Sequence, residues 1–463
     1  MFILNQLSLL FILLLVLISI SATTGTTFQQ DEDTNNKCGI LNVLDFGAKG
    51  DGETLDTSAI QHTFDAALNK MGCIILFPSN HVYLTGPFNI TSTGNIEIQI
   101  EQDATIQFSA KRSLHPKIFD PHVTDKLRYQ PLFFCEFNCP NVNITGGGTI
   151  DGMGQDWWAP VPTGMKPSKN LNAPVTVECT WCDNFNVQNI LIKQCPFVCL
   201  HINNSTNAYV SNITMTNPID SPNTACVYAD GLTNSRITKS SFSCGDDHIT
   251  VLAMTTKTVN MLIDESVFYH GQGLTLVSNI FYSTKPEKKK TPSLTPITPI
   301  HIRYICSTTQ GSQVFHGMEN VTWRNIKMIG GLTGIRIKSQ RGKGGDITGL
   351  VYENIQLRSV GIMVSVEMDY HHTGIVSKNP PSFNGVILRN ITGWGDLAGY
   401  ISCLPESPCK DWKFDNVFPD GTSEVVLPYH CNDYFIDATC TNCGSWPKLC
   451  NGMEKKKKKN EIW

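Results

Sequence analysis

NFNVQNILI at residues 184–192 is the first of four similar segments, and NAYVSNITM (207–215), NSRITKSSF (234–242) and NMLIDESVF (260–268) follow it. Each begins with asparagine, has an aliphatic residue three positions later and ends on an apolar residue. The segments begin 23, 27 and 26 residues apart. A repeat of this length with many β-branched residues indicates short strands stacked in a solenoid.

Related segments extend the repeat in both directions. They are NVNITGGGT (141–149), NVTWRNIKM (320–328), GLVYENIQL (349–357) and NGVILRNIT (384–392). No long helical periodicity separates them, which argues against a β/α barrel. We therefore predict an all-β chain folded as a parallel β-helix, with asparagines at corners where the backbone is left-handed.

The composition agrees with an exported protein. The chain has 463 residues, of which 16% are charged, with 36 glycines and a net charge of −4, so no basic excess points to nucleic acid. Residues 1–22 contain the apolar run Leu9–Ile18 and then small residues, which predicts a signal peptide; an uncleaved membrane anchor is the alternative. Seven glycosylation motifs also favour secretion; they lie at Asn89, Asn143, Asn203, Asn204, Asn212, Asn320 and Asn390.

Cysteines are numerous in this chain. Seventeen cysteines in an exported protein predict disulfides and at least one unpaired thiol. The C-x-x-C pairs Cys179/Cys182 and Cys440/Cys443 have zinc-like spacing, but no histidines cluster with them, so we expect no metal. Cys403 with Cys409, and the group formed by Cys431, Cys440, Cys443 and Cys450, are expected to fasten the C-terminal end of a solenoid domain spanning residues 38–450.

Two segments interrupt or follow the repeat. Residues 283–313 are rich in lysine, proline and threonine, which predicts a long exposed loop, unless they reflect an error in the gene sequence. Residues 451–463 contain five consecutive lysines. They predict a solvated tail, with weak attraction to a polyanion as the alternative.

The segment SFSCGDDHITV (241–251) places two aspartates, Asp246 and Asp247, side by side between apolar residues. Adjacent carboxylates in a strand-like segment repel each other and lose hydration, which costs folding free energy. A solvated turn is one explanation. The other is a carboxylate pair that performs acid–base chemistry, and this requires the chain to leave the strand near Gly245, because strand neighbours face opposite sides.

Several further motifs accompany this pair. They are NVLDFGAKGDGETLDTSAIQHTFDAAL (42–68), FPSNHVYLTGPF (77–88), NVNITGGGTIDGMGQDWW (141–158), SPNT (221–224), CGDD (244–247) and GIRIKS (334–339). With these motifs the chain resembles the polygalacturonases, the pectin-degrading glycoside hydrolase family 28, from about Asn42 to Asn416. The resemblance implies a right-handed parallel β-helix with a cleft along one sheet. It also implies inverting hydrolysis of galacturonosyl links in pectin, without a cofactor, by a secreted monomer that has no stable membrane association.

The resemblance assigns roles to individual residues. Asp246 matches the general acid, and Asp247 matches a carboxylate that holds the attacking water. Asn223, Gln272, Arg336 and Lys338 are expected to bind substrate. Because Arg336 and Lys338 are two residues apart in a strand, both should lie on one face, with Ile337 turned toward the core. Two cations there suit the carboxylate of a uronide.

Two positions depart from the family pattern. Ala225 stands where a third aspartate is expected, followed by Cys226 in place of glycine, and Gln272 stands where a histidine is expected. His270 is an alternative histidine only if its turn is re-registered. The residues therefore leave two hypotheses: a slow hydrolase, or a pectin-binding protein that has lost catalysis. On the first hypothesis, Ala225→Asp together with Gln272→His should raise hydrolysis.

Overall fold

The repeat folds into coils of three short strands, and equivalent strands of successive coils pair side by side. The computed structural model describes residues 38–90, 95–119, 127–136, 139–158, 173–276, 315–341, 344–370, 379–418, 423–427 and 430–443. The predicted signal peptide, the 283–313 loop and the 451–463 tail lie outside these residues. Within them, the main-body pairings are parallel, so the predicted parallel β-helix is confirmed.

Three stacks of strands, which we name sheets 1, 2 and 3, form the faces of the solenoid. Sheet 1 contains β1 (Ile40–Asn42), β3 (Cys73–Phe77), β6 (Ile96–Ile100), β11 (Val142–Thr145), β14 (Asn186–Gln188), β17 (Tyr209–Ser211), β20 (Thr233–Thr238), β23 (Thr258–Asp264), β29 (Ser382–Phe383), β31 (Trp412–Val417) and β34 (Ala438–Thr441). Sheet 2 contains β2 (Asp51–Leu55), β4 (Val82–Thr85), β7 (Thr105–Phe108), β12 (Thr149–Asp151), β15 (Leu191–Lys193), β18 (Thr214–Thr216), β21 (Ser241–Ser243), β24 (Val267–Tyr269) and β32 (Ser423–Leu427).

Sheet 3 contains β5 (Phe88–Asn89), β10 (Phe133–Glu136), β13 (Val177–Thr180), β16 (Leu200–Asn203), β19 (Val227–Asp230), β22 (Ile249–Leu252), β25 (Leu274–Leu276), β27 (Thr333–Lys338) and β33 (His430–Cys431). Three long strands bend from one sheet into the next: β26 (Met318–Ile329), β28 (Asp346–Glu367) and β30 (Ile387–Ser402). Outside the solenoid ladder, β8 (Lys117–Phe119) and β9 (Leu127–Tyr129) form an antiparallel hairpin. Helix α1 (Thr57–Ala67) packs Ile60 and Phe64 into the core, and short 3₁₀ turns occur at Arg112–Leu114 and Gly154–Asp156.

The core consists of side chains that repeat at the same position of each coil. In sheet 1, Val187 pairs with Val210, Val210 with Ile237 and Ile237 with Ile263, and all four are buried. Alternation along each strand directs every second side chain inward, so identical positions stack through the solenoid. This stacking explains why the apolar spacing was readable in the sequence.

Asparagines occupy the corners, as the sequence predicts. Asn184 donates from Nδ2 to Asn141 Oδ1 (2.8 Å), and Asn260 and Asn320 continue the same pattern on later coils. These asparagines have positive φ, a conformation that asparagine tolerates better than most residues. The glycosylation motifs at Asn212, Asn320 and Asn390 coincide with such corners, and their amides already donate to an asparagine one coil earlier.

Disulfides account for most described cysteines. The bonds are Cys38–Cys73, Cys135–Cys139, Cys179–Cys182, Cys195–Cys199, Cys403–Cys409 and Cys440–Cys443. The prediction of a Cys403–Cys409 bond is confirmed, and both C-x-x-C pairs are disulfides. Cys226 and Cys244 are free and buried. No helix in the described part of the chain is long and apolar enough to span a membrane; the predicted signal peptide and its alternative anchor lie outside that part.

Candidate active site

Sheet 3 brings the predicted site residues onto neighbouring coils. Asn223 lies just before β19, Asp246 and Asp247 just before β22, and Gln272 just before β25, while Arg336 and Lys338 lie in β27. The strands pair in the order β19, β22, β25, β27. Since neighbouring strands are about 4.8 Å apart, residues distant in sequence meet at one place.

The two aspartates lie in a turn between strands. Strand β21 ends at Ser243 and β22 begins at Ile249, so the chain leaves the regular strand where the sequence required it to. Gly245 is essential to this turn, because a Cβ there would lie 2.0 Å from the backbone oxygen of Ser221. The Gly245 N–H donates to Thr224 Oγ1 (3.1 Å), which fixes the turn against the preceding coil.

Asp247 is held by two cations. Arg336 Nη1 lies 3.2 Å from its Oδ1, and Lys338 Nζ lies 3.1 Å from its Oδ2. Thr275 Oγ1 also donates to Oδ1 (2.7 Å). Burial alone would raise the pKa of Asp247, but the charges of Lys338 and Arg336 and the hydrogen bond from Thr275 outweigh burial and lower it. Asp247 is therefore held as a carboxylate.

Asp246 has the opposite electrostatic environment. Burial and the negative charge of Asp247 raise the pKa of Asp246 to about 6, although Lys338 and Arg336 act in the other direction. The Asp247 N–H donates to Asp246 Oδ1 (2.9 Å), which holds its side chain beside the turn. One aspartate of the pair is thus suited to donate a proton and the other to remain charged, the division of roles that glycosidases use.

Arg336 and Lys338 both face outward, and Ile337 between them is fully buried in the core. Gln272 contributes its side-chain oxygen, which accepts from Arg336 Nη1 (3.1 Å). The structure therefore brings Asp247, Gln272, Arg336 and Lys338 into direct contact, with Asp246 adjacent in the chain.

His270 lies at the protein surface. It is exposed in a left-handed backbone conformation and packs against Gly330. The buried histidine of the site is His248 instead, whose ring contacts the backbone oxygens of Tyr269 (3.1 Å) and Gly273 (3.3 Å). These contacts position the turn that carries Gln272. His248 directly follows Asp247 in the sequence, but none of the motifs assigns it a role.

Asn223 and Ala225 lie on the coil before the aspartates. Asn223 is buried in a left-handed conformation, and its Oδ1 has no hydrogen-bond partner among the described residues, which leaves an acceptor for a ligand hydroxyl. Ala225 is fully buried in an apolar cluster with Phe197, Tyr228 and Leu252. The position of the expected third carboxylate is therefore covered by apolar side chains.

Tyr370 was missed by the sequence analysis. Arg336 Nη2 lies 3.4 Å from its hydroxyl, and the Arg336 and Lys338 cations lie 5.5 and 5.1 Å from the centre of its ring. Tyr370 follows β28 by three residues, in a segment without repeat pattern. An aromatic ring beside two cations limits their motion and supplies a flat apolar surface.

The buried thiols of Cys226 and Cys244 lie beneath the aspartate turn. Cys226 Sγ contacts the Ser243 backbone oxygen (3.7 Å), and Cys244 Sγ contacts those of Asp246 (3.3 Å) and Asp247 (3.4 Å). Burial raises the pKa of the Cys244 thiol, as does its hydrogen bond with Cys226. The Cys244 thiol is thus held protonated, and both cysteine side chains pack and form hydrogen bonds below the site.

No metal-binding set accompanies the carboxylates among the described residues. The one group of three potential ligands found there is Cys135, Cys179 and Cys182, whose sulfur atoms lie within 4.8 Å of one another. Each of these sulfurs is already in a disulfide, so none is a thiolate ligand.

Comparison with known proteins agrees with this geometry. The sequence profile of the glycosyl hydrolases family 28 matches residues 74–285 and 301–435, which is most of the chain. The chain belongs to this family. It is a glycosidase with the parallel β-helix fold, and the resemblance stated from its motifs is confirmed.

Individual members of family 28 are distant relatives. The chain is 24% identical over 418 residues to polygalacturonase-2 of Solanum lycopersicum, covering 88% of this chain and 81% of the relative. It is 26% identical over 380 residues to a polygalacturonase of Malus domestica, covering 80% and 72%. A hyperthermoactive exopolygalacturonase from Thermotoga maritima has the same fold, with a TM-score of 0.64, 18% identity, and coverage of 87% and 91%.

Proposed function

We propose that this glycosidase hydrolyses α-1,4-galacturonosyl links of pectin with inversion, as a secreted monomer. The observation that carries the proposal is the divided aspartate pair, in which Asp246 has a raised pKa and Asp247 is held anionic by Arg336 and Lys338. The polygalacturonase relatives supply the substrate class. No cofactor is required by this chemistry.

Asp246 acts as the general acid in this proposal. Its proton passes to the glycosidic oxygen as the bond between that oxygen and the anomeric carbon breaks, while a water oxygen attacks the anomeric carbon from the opposite face. Asp247 accepts a hydrogen bond from this water and then its proton. Because the lowered pKa of Asp247 makes it a weak base and no carboxylate stands at Ala225, we expect slow turnover.

Substrate recognition falls to the cations and polar groups around the pair. Lys338 has three N–H donors and Arg336 has five, so neither is saturated by its contact with Asp247. The remaining donors suit a uronide carboxylate, and Asn223 Oδ1 suits a ring hydroxyl. Tyr370 offers its ring to the apolar face of the sugar.

The second candidate is a pectin-binding protein without catalysis. The specific observation that favours it is the burial of Ala225 among apolar side chains, which leaves one carboxylate to orient water. Both candidates require binding of a polyuronide and differ only in whether glycosidic bonds are broken.

A reducing-end assay on polygalacturonate, with pectin binding measured on the same sample, separates the two candidates. We expect slow release of reducing ends, lost by about 10²–10⁴-fold in Asp246→Asn, because asparagine keeps the shape but has no acid proton. Asp415→Asn is the matched control, since Asp415 is exposed and pairs with the surface residue Arg389. Binding without hydrolysis in the natural sequence would establish the second candidate.

A further inference from the structure

Sheet 3 has an outward-facing column of side chains that runs the length of the site. The strand register aligns Glu178, His201, Tyr228, Thr250, Thr275, Arg336, Ser365 and Tyr400, one per coil. The intervening residues of these strands, such as Val227 and Ile337, face the core. Any polymer bound along this sheet would follow the column.

The column is buried from Glu178 through Thr250 and Thr275 to Arg336, and it is partly open beyond Arg336. Before the aspartate turn, Glu178, His201 and Tyr228 are only 1%, 7% and 6% exposed. After Arg336 and Lys338, the corresponding Ser365 and Tyr400 are partly exposed. Outward-facing side chains of an uncovered sheet would reach solvent, so the described coils before the aspartates must be covered by other groups.

A charged contact makes part of this cover. Arg128, from the β8–β9 hairpin, donates to both carboxylate oxygens of Glu178 (2.7 and 2.5 Å), and His201 Nδ1 lies 3.5 Å from the same carboxylate. Two parallel hydrogen bonds between a guanidinium and a buried carboxylate fix the hairpin across the sheet. The hairpin is therefore fixed to strand β13 through Glu178, whose carboxylate His201 of β16 also contacts.

An apolar cluster continues the cover up to the aspartates. It contains Trp157, Val175, Phe197, Ala225, Tyr228 and Leu252. Phe197 and His201 both make edge contacts with the Tyr228 ring, at centroid distances of 6.4 and 5.9 Å, and Arg112 stacks over Trp157 at 4.2 Å. Because Ala225 belongs to the cluster, the cover begins on the coil directly before Asp247.

We propose that this cover, the Arg128–Glu178 contact together with the apolar cluster around Tyr228, closes the cleft at one end and restricts the protein to the ends of polyuronide chains. The inference rests on the proposed function. A chain that enters from the Ser365 and Tyr400 side reaches Asp246 with its terminal unit against Tyr228. Hydrolysis then releases that unit as a monomer, water adding to the anomeric carbon and Asp246 protonating the departing oxygen.

Binding capacity tests the closed end independently of catalysis. Polygalacturonate fractions of different mean length are offered at equal mass to the full-length Asp246→Asn variant, and the amount of protein bound at saturation is measured. We expect the capacity to double when the mean chain length is halved, because only ends are bound. Equal capacity per mass would show binding within chains and overturn the proposal.

Product analysis on the active protein gives the second test. Monogalacturonate should be the first product while long chains persist and viscosity falls slowly. A mixture of long oligomers with rapid loss of viscosity would overturn the closed end but leave the hydrolase intact. Absence of reducing ends, with the capacity still following chain ends, would overturn the hydrolase but leave the closed end intact.

A variant pair assigns the effect to the cover. Tyr228→Ala should open the cover and raise the share of dimers and trimers in the early products. Tyr209→Ala, on the same coil but facing outward from sheet 1, is the matched control and should leave the product distribution unchanged. If Tyr228→Ala fails to fold, as judged by circular dichroism, the capacity measurement still decides the proposal.

Discussion

The asparagine corners and the Gly245–Asp247 turn are both places where the chain leaves a strand, and they treat polar groups in different ways. Between sheets 1 and 2, Asn354 donates to Asn325 and accepts from Asn390. Each of these neutral amides thus donates a hydrogen bond to the equivalent amide of the preceding coil. At the turn, the Asp247 carboxylate contacts two cations from β27 in a buried environment, with Asp246 adjacent in the chain. The corners distribute polar contacts evenly, whereas the turn concentrates charge.

This difference separates what a fold needs from what a site needs. A corner amide is exposed and neutral, so losing one removes a modest hydrogen bond. The aspartate turn contains buried charges that stabilise one another only as a set, so losing one member leaves the others without compensation. Substitutions at the two places should therefore differ in the size of their effects on stability.

The largest expected effect is at the centre of the charge cluster. Asp247→Asn removes the partner of Arg336 and Lys338 and leaves two buried cations together, so we expect the free energy of unfolding to fall by about 3–5 kcal/mol. Urea denaturation measures this change. In the control Asp415→Asn, where the exposed pair with Arg389 spans 3.5 Å, the loss should be at most about 1 kcal/mol. Similar losses in both variants would mean that water already solvates the cations.

A carboxylate added beside the cluster should also destabilise. Ala225→Asp places a charge among Phe197, Tyr228 and Leu252, one coil from Asp247, and we expect a loss of about 2–3 kcal/mol. The structure thus changes the expectation from the sequence, in which Ala225→Asp with Gln272→His raises hydrolysis. Urea denaturation and the reducing-end assay check both expectations, with Ala225→Ser as the small polar control. A stable Ala225→Asp protein with faster hydrolysis would instead support the expectation from the sequence.

The pH dependence follows from the raised pKa of Asp246. The pKa of Asp246 is about 6 in the folded protein, whereas the ordinary value for an aspartate is 3.8. The folded state therefore favours the protonated form of Asp246. The stabilisation from this proton is complete below about pH 4 and is lost as the pH rises through about 6. Hydrolysis should fall about tenfold per pH unit above that point, since less acid remains.

Rates and unfolding free energies measured from pH 4 to pH 8 test this dependence. In Asp246→Asn the stability change between pH 4 and pH 6 should become smaller, because the titrating group is gone. A hydrolysis rate that stays level up to pH 8 would assign the acid to another residue.

The sequence predicted the periodic parts of this molecule and the motif-bearing parts of its site. Val187, Val210 and Asn184 could be placed because each coil repeats the same inward or corner position. Asp246, Asp247, Arg336 and Lys338 were found through motifs and spacing, and the structure brings them together. Their catalytic and binding roles remain predictions.

The remaining features depend on contacts that have no period. Tyr370 lies 34 residues from Arg336, and Arg128 lies 50 residues from Glu178, with nothing in either sequence segment to indicate the partner. His270 was considered because it lies near the family's histidine position, but it is exposed in a left-handed turn, and the buried histidine is His248. Local spacing cannot report such a turn when the coil lengths vary.

The smallest expected effect on stability is at an asparagine corner. It measures how much the hydrogen bonds between corner asparagines of successive coils contribute to stability. Asn354→Ala removes the bonds with Asn325 (3.1 Å) and Asn390 (2.9 Å) and places alanine at a φ of 54°, so we expect a loss of about 1–2 kcal/mol in urea denaturation. Asn354→Gly removes the same bonds but accepts the left-handed backbone, so its loss should be smaller. The difference between the two variants isolates the backbone contribution. A loss in Asn354→Ala as large as that in Asp247→Asn would mean that the corners, and not the charge cluster alone, hold neighbouring coils together.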